Sequence, residues 1–291
     1  MDTRLVRDFK IREAVLDDWQ EAGRICYEAF ATVSRQHGFP PDFPTVEAAA
    51  LPIKWLIGHP QIYSIVAERD GRVIGSNFMD ERSTISAIGP ISIHPAEQDR
   101  GVGRALMLAA LDRAAQRKAP GVRLLQLSYH NRSLSLYAKL GFDVRGSYAA
   151  MYGEPIRSTM PGYTVRVATP EDEAACNALC LRVHGHERPG EVRESIAAGT
   201  ARVVERLGRI TGYTTGITYF SHSVAATNDD LMALICAAED FGTPGFLVPL
   251  DNTELFRWCL ARGLRVFFVL NMMTIGIYQE PAGAYMPSVG Y

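Results

Sequence analysis

The sequence predicts an α/β (α+β) chain built as two tandem copies of one unit, on three observations. A β-branched segment feeds a Gly-rich turn and then an apolar helix in the run Ile91-Ser-Ile-His-Pro-Ala-Glu-Gln98-Asp-Arg-Gly101-Val-Gly103-Arg-Ala-Leu106. Short motifs of the first half return, in the same order, in the second. Between the two series lies Gly153-Glu-Pro155-Ile-Arg-Ser-Thr-Met-Pro161-Gly162, with the composition of a linker. The chain has 291 residues, room for two domains of ~100–200 residues each. Its 47% hydrophobic and 21% charged content suits a soluble protein with a real core.

The repeats are taken in chain order. Arg12-x-Ala14-x-x-x-Asp18, with Cys26 beyond it, is matched at one common interval by Arg166-x-Ala168-x-x-x-Asp172 and Cys180. Glu68-Arg-Asp-Gly71-Arg72-Val-Ile-Gly75 returns as Glu205-Arg-Leu-Gly208-Arg209-Ile-Thr-Gly212. Each copy reads as strand, Gly-centred tight turn, strand. Gly141 with Met151 is matched by Gly263 with Met273. The interval shortens twice along the chain. The first loss falls where the first half carries Ser34-Arg-Gln-His-Gly-Phe-Pro-Pro-Asp-Phe-Pro44. The second falls across the region of the Gly-rich turn, where the second half offers Ala226-Thr-Asn-Asp-Asp-Leu-Met and no glycine. The second domain opens with Tyr163-Thr-Val-Arg-Val-Ala-Thr169-Pro170-Glu-Asp172, a strand followed by a capping-box helix start with Pro at its first position. Domain boundaries are therefore expected at 1–153, 154–162 (linker) and 163–291.

The Gly-rich turn has a chemical meaning. The first N–H groups of a helix have no partner within it. Together with the positive end of the helix dipole they cradle a phosphate, and Gly101 and Gly103 let the backbone close on it. A P-loop would need Gly-x-x-x-x-Gly-Lys-Ser/Thr, and a Rossmann turn a third glycine where Leu106 stands. The pattern present is Gln98-x-x-Gly101-x-Gly103. Downstream, the alternating strand Val122-Arg-Leu-Leu-Gln-Leu-Ser128 leads into Asn131-Arg-Ser-Leu-Ser-Leu-Tyr137-Ala-Lys-Leu-Gly141-Phe142. In that segment Asn131 suits an N-cap and Gly141 a helix C′ position.

These two motifs, in this order and at this separation, resemble the GCN5-related N-acetyltransferases (GNAT) over about Phe9 to Gly153. The resemblance implies a mixed, mostly antiparallel central sheet flanked by helices in each domain. It also implies transfer of an acetyl group from acetyl-CoA, as co-substrate, to an amine. The implied cofactor contacts are Gln98, Asp99, Arg100, Gly101, Val102, Gly103, Arg104 and Ala105 for the pyrophosphate. Asn131, Ser133 and Tyr137 join them from the second motif. The strand Gly89–His94 would hold the pantetheine arm, with backbone N–H groups at Ile91, Ser92 and Ile93 facing the oxyanion. Tyr137 matches the family's general acid; a phenol of pKa ~10 stays protonated at neutral pH and can protonate a departing thiolate.

The base is less well marked. Many relatives carry a glutamate in the strand before the phosphate loop, where this chain reads Ala87-Ile-Gly89. Asp80 and Glu81 are the nearest acidic candidates, with an ordinary polar turn as the competing reading. His94 alternates away from Ile91 and Ile93, which predicts a solvated histidine. Phe39 and Phe43, in the Pro-rich segment, are expected to wall the acceptor pocket. In the second half, the carboxylates Asp229 and Asp230 compete with a phosphate, so this copy is expected to be degenerate and to lack the cofactor site.

Bulk properties bound the remaining classes. A net charge of −2 gives no basic field for nucleic acid. The run Met1-Asp-Thr-Arg-Leu-Val-Arg-Asp8 is too polar for a secretory signal, and no apolar stretch approaches the ~18 residues of a membrane helix. A cytoplasmic location is expected. The five cysteines form no paired framework and are read as reduced, buried thiols. Neither Cys176 with Cys180 nor His184-Gly-His186 makes a metal site; the histidine pair is expected to be solvated. The ending Pro281–Tyr291 shows no regular element.

The function expected is acetyl-CoA-dependent N-acetylation of a small primary amine, by a monomer or homodimer. Two alternatives stand beside it: a peptide or protein amine as acceptor, and a non-catalytic acyl-CoA-binding sensor.

Overall fold

The computed structural model describes residues 8–290; the polar amino-terminal run through Arg7 and the final Tyr291 lie outside them. Two compact units divide the chain. One runs up to Glu81 and takes in Ile88–Ala119; the other joins Arg82–Ala87 to everything from Pro120 onward. The main division falls at Ala119/Pro120, and the strand order of the second unit explains why.

In the first unit, β1 (Lys10–Glu13) leads through a 3-10 turn into α1 (Trp19–Gln36) and α2 (Val46–Gly58). The hairpin of β2 (Ile62–Arg69) and β3 (Arg72–Asp80) follows, then β4 (Ser86–Ile88), of which only Ile88 belongs to this unit, β5 (Ser92–Ile93) and α3 (Val102–Gln116). Antiparallel pairing orders β1, β2 and β3, and β5 pairs with β3 at Gly75↔Ile93 and Ser76↔Ser92. One core cluster gathers Ala22, Cys26, Ile53, Ile62 and Phe78; another gathers Ile65, Ala67, Ile74, Val102 and Leu106 beneath α3.

The second unit continues with β6 (Gly121–Leu127), α4 (Asn131–Lys139), β7 (Asp143–Tyr152) and β8 (Thr164–Val167). Next come α5 (Glu173–His184), α6 (Pro189–Ala197), β9 (Arg202–Arg206), β10 (Arg209–Thr214) and β11 (Ser223–Ala225). It closes with α7 (Asn228–Ala237), β12 (Phe246–Pro249), α8 (Thr253–Ala261), β13 (Arg265–Gly276) and β14 (Ala284–Met286). Strands β8 to β11 and β14 form an antiparallel sheet ordered β14-β11-β10-β9-β8. The last of these is a correction: the tail contains a strand, because Ala284–Met286 finds the edge of β11 at Ser223↔Met286 and Ala225↔Ala284.

The other sheet of this unit contains a strand exchange. β13 lies between β6 and β7, pairing Met273 with Leu124 on one side and Thr274 with Asp143 on the other. β7 in turn lies between β13 and β12, with Phe246 opposite Met151. A long strand of each sequence half is thus clasped by two strands that include the other half's. The approach is close. Gly245 has φ +102, and a Cβ there would sit 1.8 Å from the carbonyl oxygen of Met151.

The repeated motifs meet in space within each copy. Arg12 donates to both oxygens of Asp18 (2.7 and 2.8 Å) and to Glu68 (2.6 Å). Arg166 does the same with Asp172 (2.7 and 2.9 Å) and Glu205 (2.8 Å). Each aspartate also accepts a backbone N–H, from Val15 or Thr169, at 2.8 Å, fixing the turn that starts the first helix. The two hairpins share their turn as well: Asp70-Gly71 and Leu207-Gly208 all have positive φ, as a two-residue type I′ turn requires.

Candidate active site

α3 begins without a cap. Its N-cap, Gly101, has φ +82 and offers no side chain, and its first turn contains no acidic residue. The first bond of this helix runs from the Ala105 N–H to the Gly101 carbonyl at 3.0 Å. The N–H groups of Val102, Gly103 and Arg104 therefore precede the helical ladder and point out of its positive end. Asp99 also has positive φ (+65), so a residue with positive φ on either side of Arg100 shapes the turn. Arg100 is exposed and reaches Glu97 at 3.5 Å, while Arg69 holds Glu97 from the other side. The geometry is an anion cradle with cationic side chains at its rim.

The matching helix of the second half is built the opposite way. Thr227 caps α7, and Asp230 closes a capping box by accepting the Thr227 N–H at 3.0 Å and its hydroxyl at 2.6 Å. Asp229 adds a second carboxylate to the first turn. The Asp230 N–H is answered by the Thr227 hydroxyl at 3.4 Å, and the first-turn carboxylates oppose an anion at this end. β14, hydrogen-bonded along β11, also packs against β12.

The segment Gly89–His94 breaks into two pieces, as Pro90, which has no N–H, and Gly89, with φ +143, dictate. His94 donates its N–H to the Ile74 carbonyl at 3.0 Å. By the alternation of an antiparallel ladder, Ser92 then exchanges its bonds with Ser76, and Ile93 turns its N–H and C=O away from β3. The Gln98 amide donates to that Ile93 carbonyl at 3.4 Å. Of the strand's amides, Ile93, and Ile91 two residues before it, are therefore the ones turned outward. His94 is not simply solvated. Its Nδ1 accepts the Ala96 N–H at 3.2 Å, capping the turn at Pro95–Glu97, and its Nε2 lies 3.6 Å from Glu28.

The acidic pair divides. Both oxygens of Glu81 accept from Arg113 (2.9 and 3.0 Å), and Arg117 stands 3.5 Å away. This carboxylate is an ion-pair anchor between the end of β3 and α3. Asp80 ends β3 opposite Ile62 and is half-buried. Phe43 packs with Phe30 edge to face, ring centroids 6.2 Å apart, on the cluster around Phe78; Phe39 is half-buried at the start of the same loop.

In the second unit, Tyr137 lies on the inner face of α4, 6% exposed, with its ring 6.1 Å from Phe142. Among the described residues its hydroxyl has no hydrogen-bond partner, and burial pushes the phenol well above its usual value. Asn131 is the first helical residue rather than the cap; His130 holds the cap position, a shift of one residue that local backbone geometry decides. Ser133 donates to the His130 carbonyl at 3.0 Å and accepts from Gln126 at 3.1 Å. Gly141, with φ +97, takes the C′ position.

Sequence reasoning missed two groups. Asp42 is buried in the Pro-rich loop and accepts from Ser34 at 2.8 Å; the signal was an acid set among Phe and Pro. In the second unit, His184 and His186 are buried rather than solvated. His186 lies 3.3 Å from the buried Arg123, and His222 lies 3.0 Å from the Tyr213 hydroxyl. Burial, then the charges of Arg123 and Arg188, hold His186 down to about 4. Among the described residues no group of three or more potential metal ligands occurs, and no helix is long and apolar enough to cross a membrane.

The chain is similar to known proteins in part of its sequence and in most of its fold. Residues 24–142 match the model of the acetyltransferase (GNAT) family. A mycothiol acetyltransferase of Thermomonospora curvata is 34% identical over 91 residues, which are 31% of this chain and 30% of that relative. The match thus spans less than a third of the relative's length. A candidate acetyltransferase of Pyrococcus horikoshii superposes over 98% of this chain and 95% of its own, with TM-score 0.76 at 17% identity. A tandem GNAT protein from the clavulanic acid biosynthesis pathway covers 92% of this chain and 98% of its own, with TM-score 0.57 at 15% identity. At such identities the likeness is one of fold.

Proposed function

Because residues 24–142 match the model of the acetyltransferase (GNAT) family, we propose that the chain is an acetyl-CoA-dependent N-acetyltransferase acting on a small primary amine. The uncapped, acid-free start of α3 carries this reading, because an anion-binding helix end is what the pyrophosphate of the coenzyme needs. The likeness to a relative named for mycothiol, not for a protein, supports a small-molecule acceptor.

In this reading residues 1–153 are the working copy, 154–162 the linker and 163–291 the degenerate copy. The backbone from Gln98 to Ala105 receives the pyrophosphate, with Arg100 and Arg104 at its rim. Asn131 and Ser133 serve the cofactor from the start of α4. The outward amides of Ile91 and Ile93 serve the pantetheine arm and the oxyanion, and Ser92 fixes that strand to β3. Tyr137, protonated at neutral pH, gives a proton to the departing sulfur. Phe39 and Phe43 wall the acceptor. Asp80 stays a candidate base at the end of β3, whereas Glu81 is committed to Arg113. In the second copy, the capping box and first-turn carboxylates of α7 disfavour an anion at that helix end.

The test is an assay of thiol release from acetyl-CoA against a panel of small primary amines and, separately, amine-bearing peptides. Turnover with at least one small amine is expected. Turnover with peptides alone would replace the acceptor class, and binding of acetyl-CoA with no acceptor in either panel would favour the sensor.

A further inference from the structure

Asp42 is a buried carboxylate with no counter-ion. It lies between Pro41 and Phe43 in the loop joining α1 to α2, 9% exposed, and accepts a hydrogen bond from the equally buried Ser34 at 2.8 Å. Among the described residues no arginine, lysine or histidine forms an ion pair with it, and none acts on its titration. A buried carboxylate without a cation is costly and is a mark of function. Burial raises the basicity of Asp42, against the opposing bond from Ser34.

Its surroundings lead to the strand already assigned to the cofactor. Cys26 of α1 belongs to the cluster on which Phe43 packs, and α1 packs against β5, the strand of Ser92. The Ser92 hydroxyl stands 3.2 Å from that of Ser76. Phe43, the next residue, packs on the cluster of Cys26 and Phe78, and the Phe78 carbonyl accepts from Gly89 at 2.9 Å. Through Phe43 and Phe78 the loop that carries Asp42 is therefore packed against the element that leads into the strand of Ile91 and Ile93.

We propose that Asp42 is both the counter-ion for the acceptor's primary ammonium and the base that deprotonates it, an assignment that rests on the acetyltransferase reading above. The ammonium gives one proton to an Asp42 oxygen, which leaves a neutral amine. Its nitrogen lone pair forms the N–C bond at the thioester carbonyl. The C–S bond then breaks, its electron pair leaves on sulfur, and the sulfur takes the proton of Tyr137 to become the free thiol; the second ammonium proton, lost as the amide forms, restores Tyr137. Asp42 returns its proton to water.

The experiment measures kcat/KM for the amine against pH, together with calorimetric binding of acetyl-CoA, in the wild type, Asp42→Asn and Ser34→Ala. Cys26 is the titratable group facing Asp42, and its thiol, pushed up to about 12, stays neutral throughout the assay range. An acidic limb of the wild-type profile therefore reports the carboxylate. Asp42→Asn is expected to bind acetyl-CoA as the wild type does and to lose at least 100-fold in kcat/KM for the amine. Ser34→Ala removes a bond that favours the ionised form, so the acidic limb should move to higher pH. Should Asp42→Asn fail to fold, the direction of the Ser34→Ala shift decides. Activity within threefold in Asp42→Asn, or an unmoved limb in Ser34→Ala, overturns the assignment. A wild type that fails to bind acetyl-CoA overturns instead the reading on which it rests.

Discussion

Replacing Tyr137 by Phe separates chemistry from packing at one atom. The ring is buried against Phe142, and the hydroxyl has no hydrogen-bond partner among the described residues. Removing a buried hydroxyl that bonds to nothing relieves a desolvation cost of ~1–3 kcal/mol. The variant should melt at the wild-type temperature or a few degrees higher, since 1 kcal/mol moves the midpoint by about 2–4 °C in a unit of this size. The chemical loss has the opposite sign. A positioned general acid contributes ~10²–10⁴ in rate. The leaving thiol is itself fairly acidic, with a reference pKa near ~8.5, so a fall of about 10²–10³ in kcat is expected. That corresponds to ~3–4 kcal/mol of barrier. Because burial raises the phenol, the proton stays on Tyr137 across the neutral and mildly alkaline range. The wild-type profile should then show no alkaline limb from this group below pH ~10. The assays are thiol release under saturating acetyl-CoA and a thermal melt of the same sample. Unchanged kcat at every pH would refute the acid role, and a melting temperature lowered by more than about 5 °C would make Tyr137 a packing residue.

Three further outcomes follow from the same geometry. Gly101→Ala places a Cβ at φ +82 on the rim of the anion cradle; a strain of ~1–2 kcal/mol and at least a tenfold loss of acetyl-CoA affinity by calorimetry are expected, and unchanged affinity would remove the cradle from the binding site. The buried histidines His184, His186 and His222 are held neutral in the fold, first by burial, whereas in the unfolded chain they protonate below pH ~6.5. Their contribution is complete above pH 6.5 and declines as the pH falls toward the folded values; with His186 held to about 4, it alone accounts for about 2 kcal/mol lost by pH 5. Urea unfolding at pH 7.5 and pH 5 measures this, and equal stabilities would contradict it. Ending the chain at Glu280 removes β14 from the edge of β11; the second unit should lose stability while acetyl-CoA affinity stays within about twofold, and a parallel loss of affinity would place the tail in the cofactor site.

The features legible in sequence are those fixed by local backbone chemistry. The Gly101 turn, the Thr169/Asp172 capping box and the C′ glycine at Gly141 each follow from residues within a few positions of one another. The repeat was readable as order alone; that Arg12, Asp18 and Glu68 clasp one another, as Arg166, Asp172 and Glu205 do, required the pairing of β1 with β2 and of β8 with β9. Partner choice was the hidden part. Nothing within β7 or β13 says that each will lie against strands of the other half, because a period of two fixes which face is buried and not which neighbour covers it. Asp42 was obscured by its setting, since a Pro- and Phe-rich loop reads as surface until α1 and α2 close over it. His184 and His186 were misread for the same reason: Arg123 lies against His186 and Tyr285 against His184, both from distant positions in the chain.

The division of labour between the halves is the central claim, and calorimetric titration of the whole chain with acetyl-CoA tests it directly. One site per chain is predicted, abolished or weakened by Gly101→Ala and untouched by Asp230→Asn in the capping box of α7. Two sites per chain, or a single site that survives the first substitution and responds to the second, would contradict it.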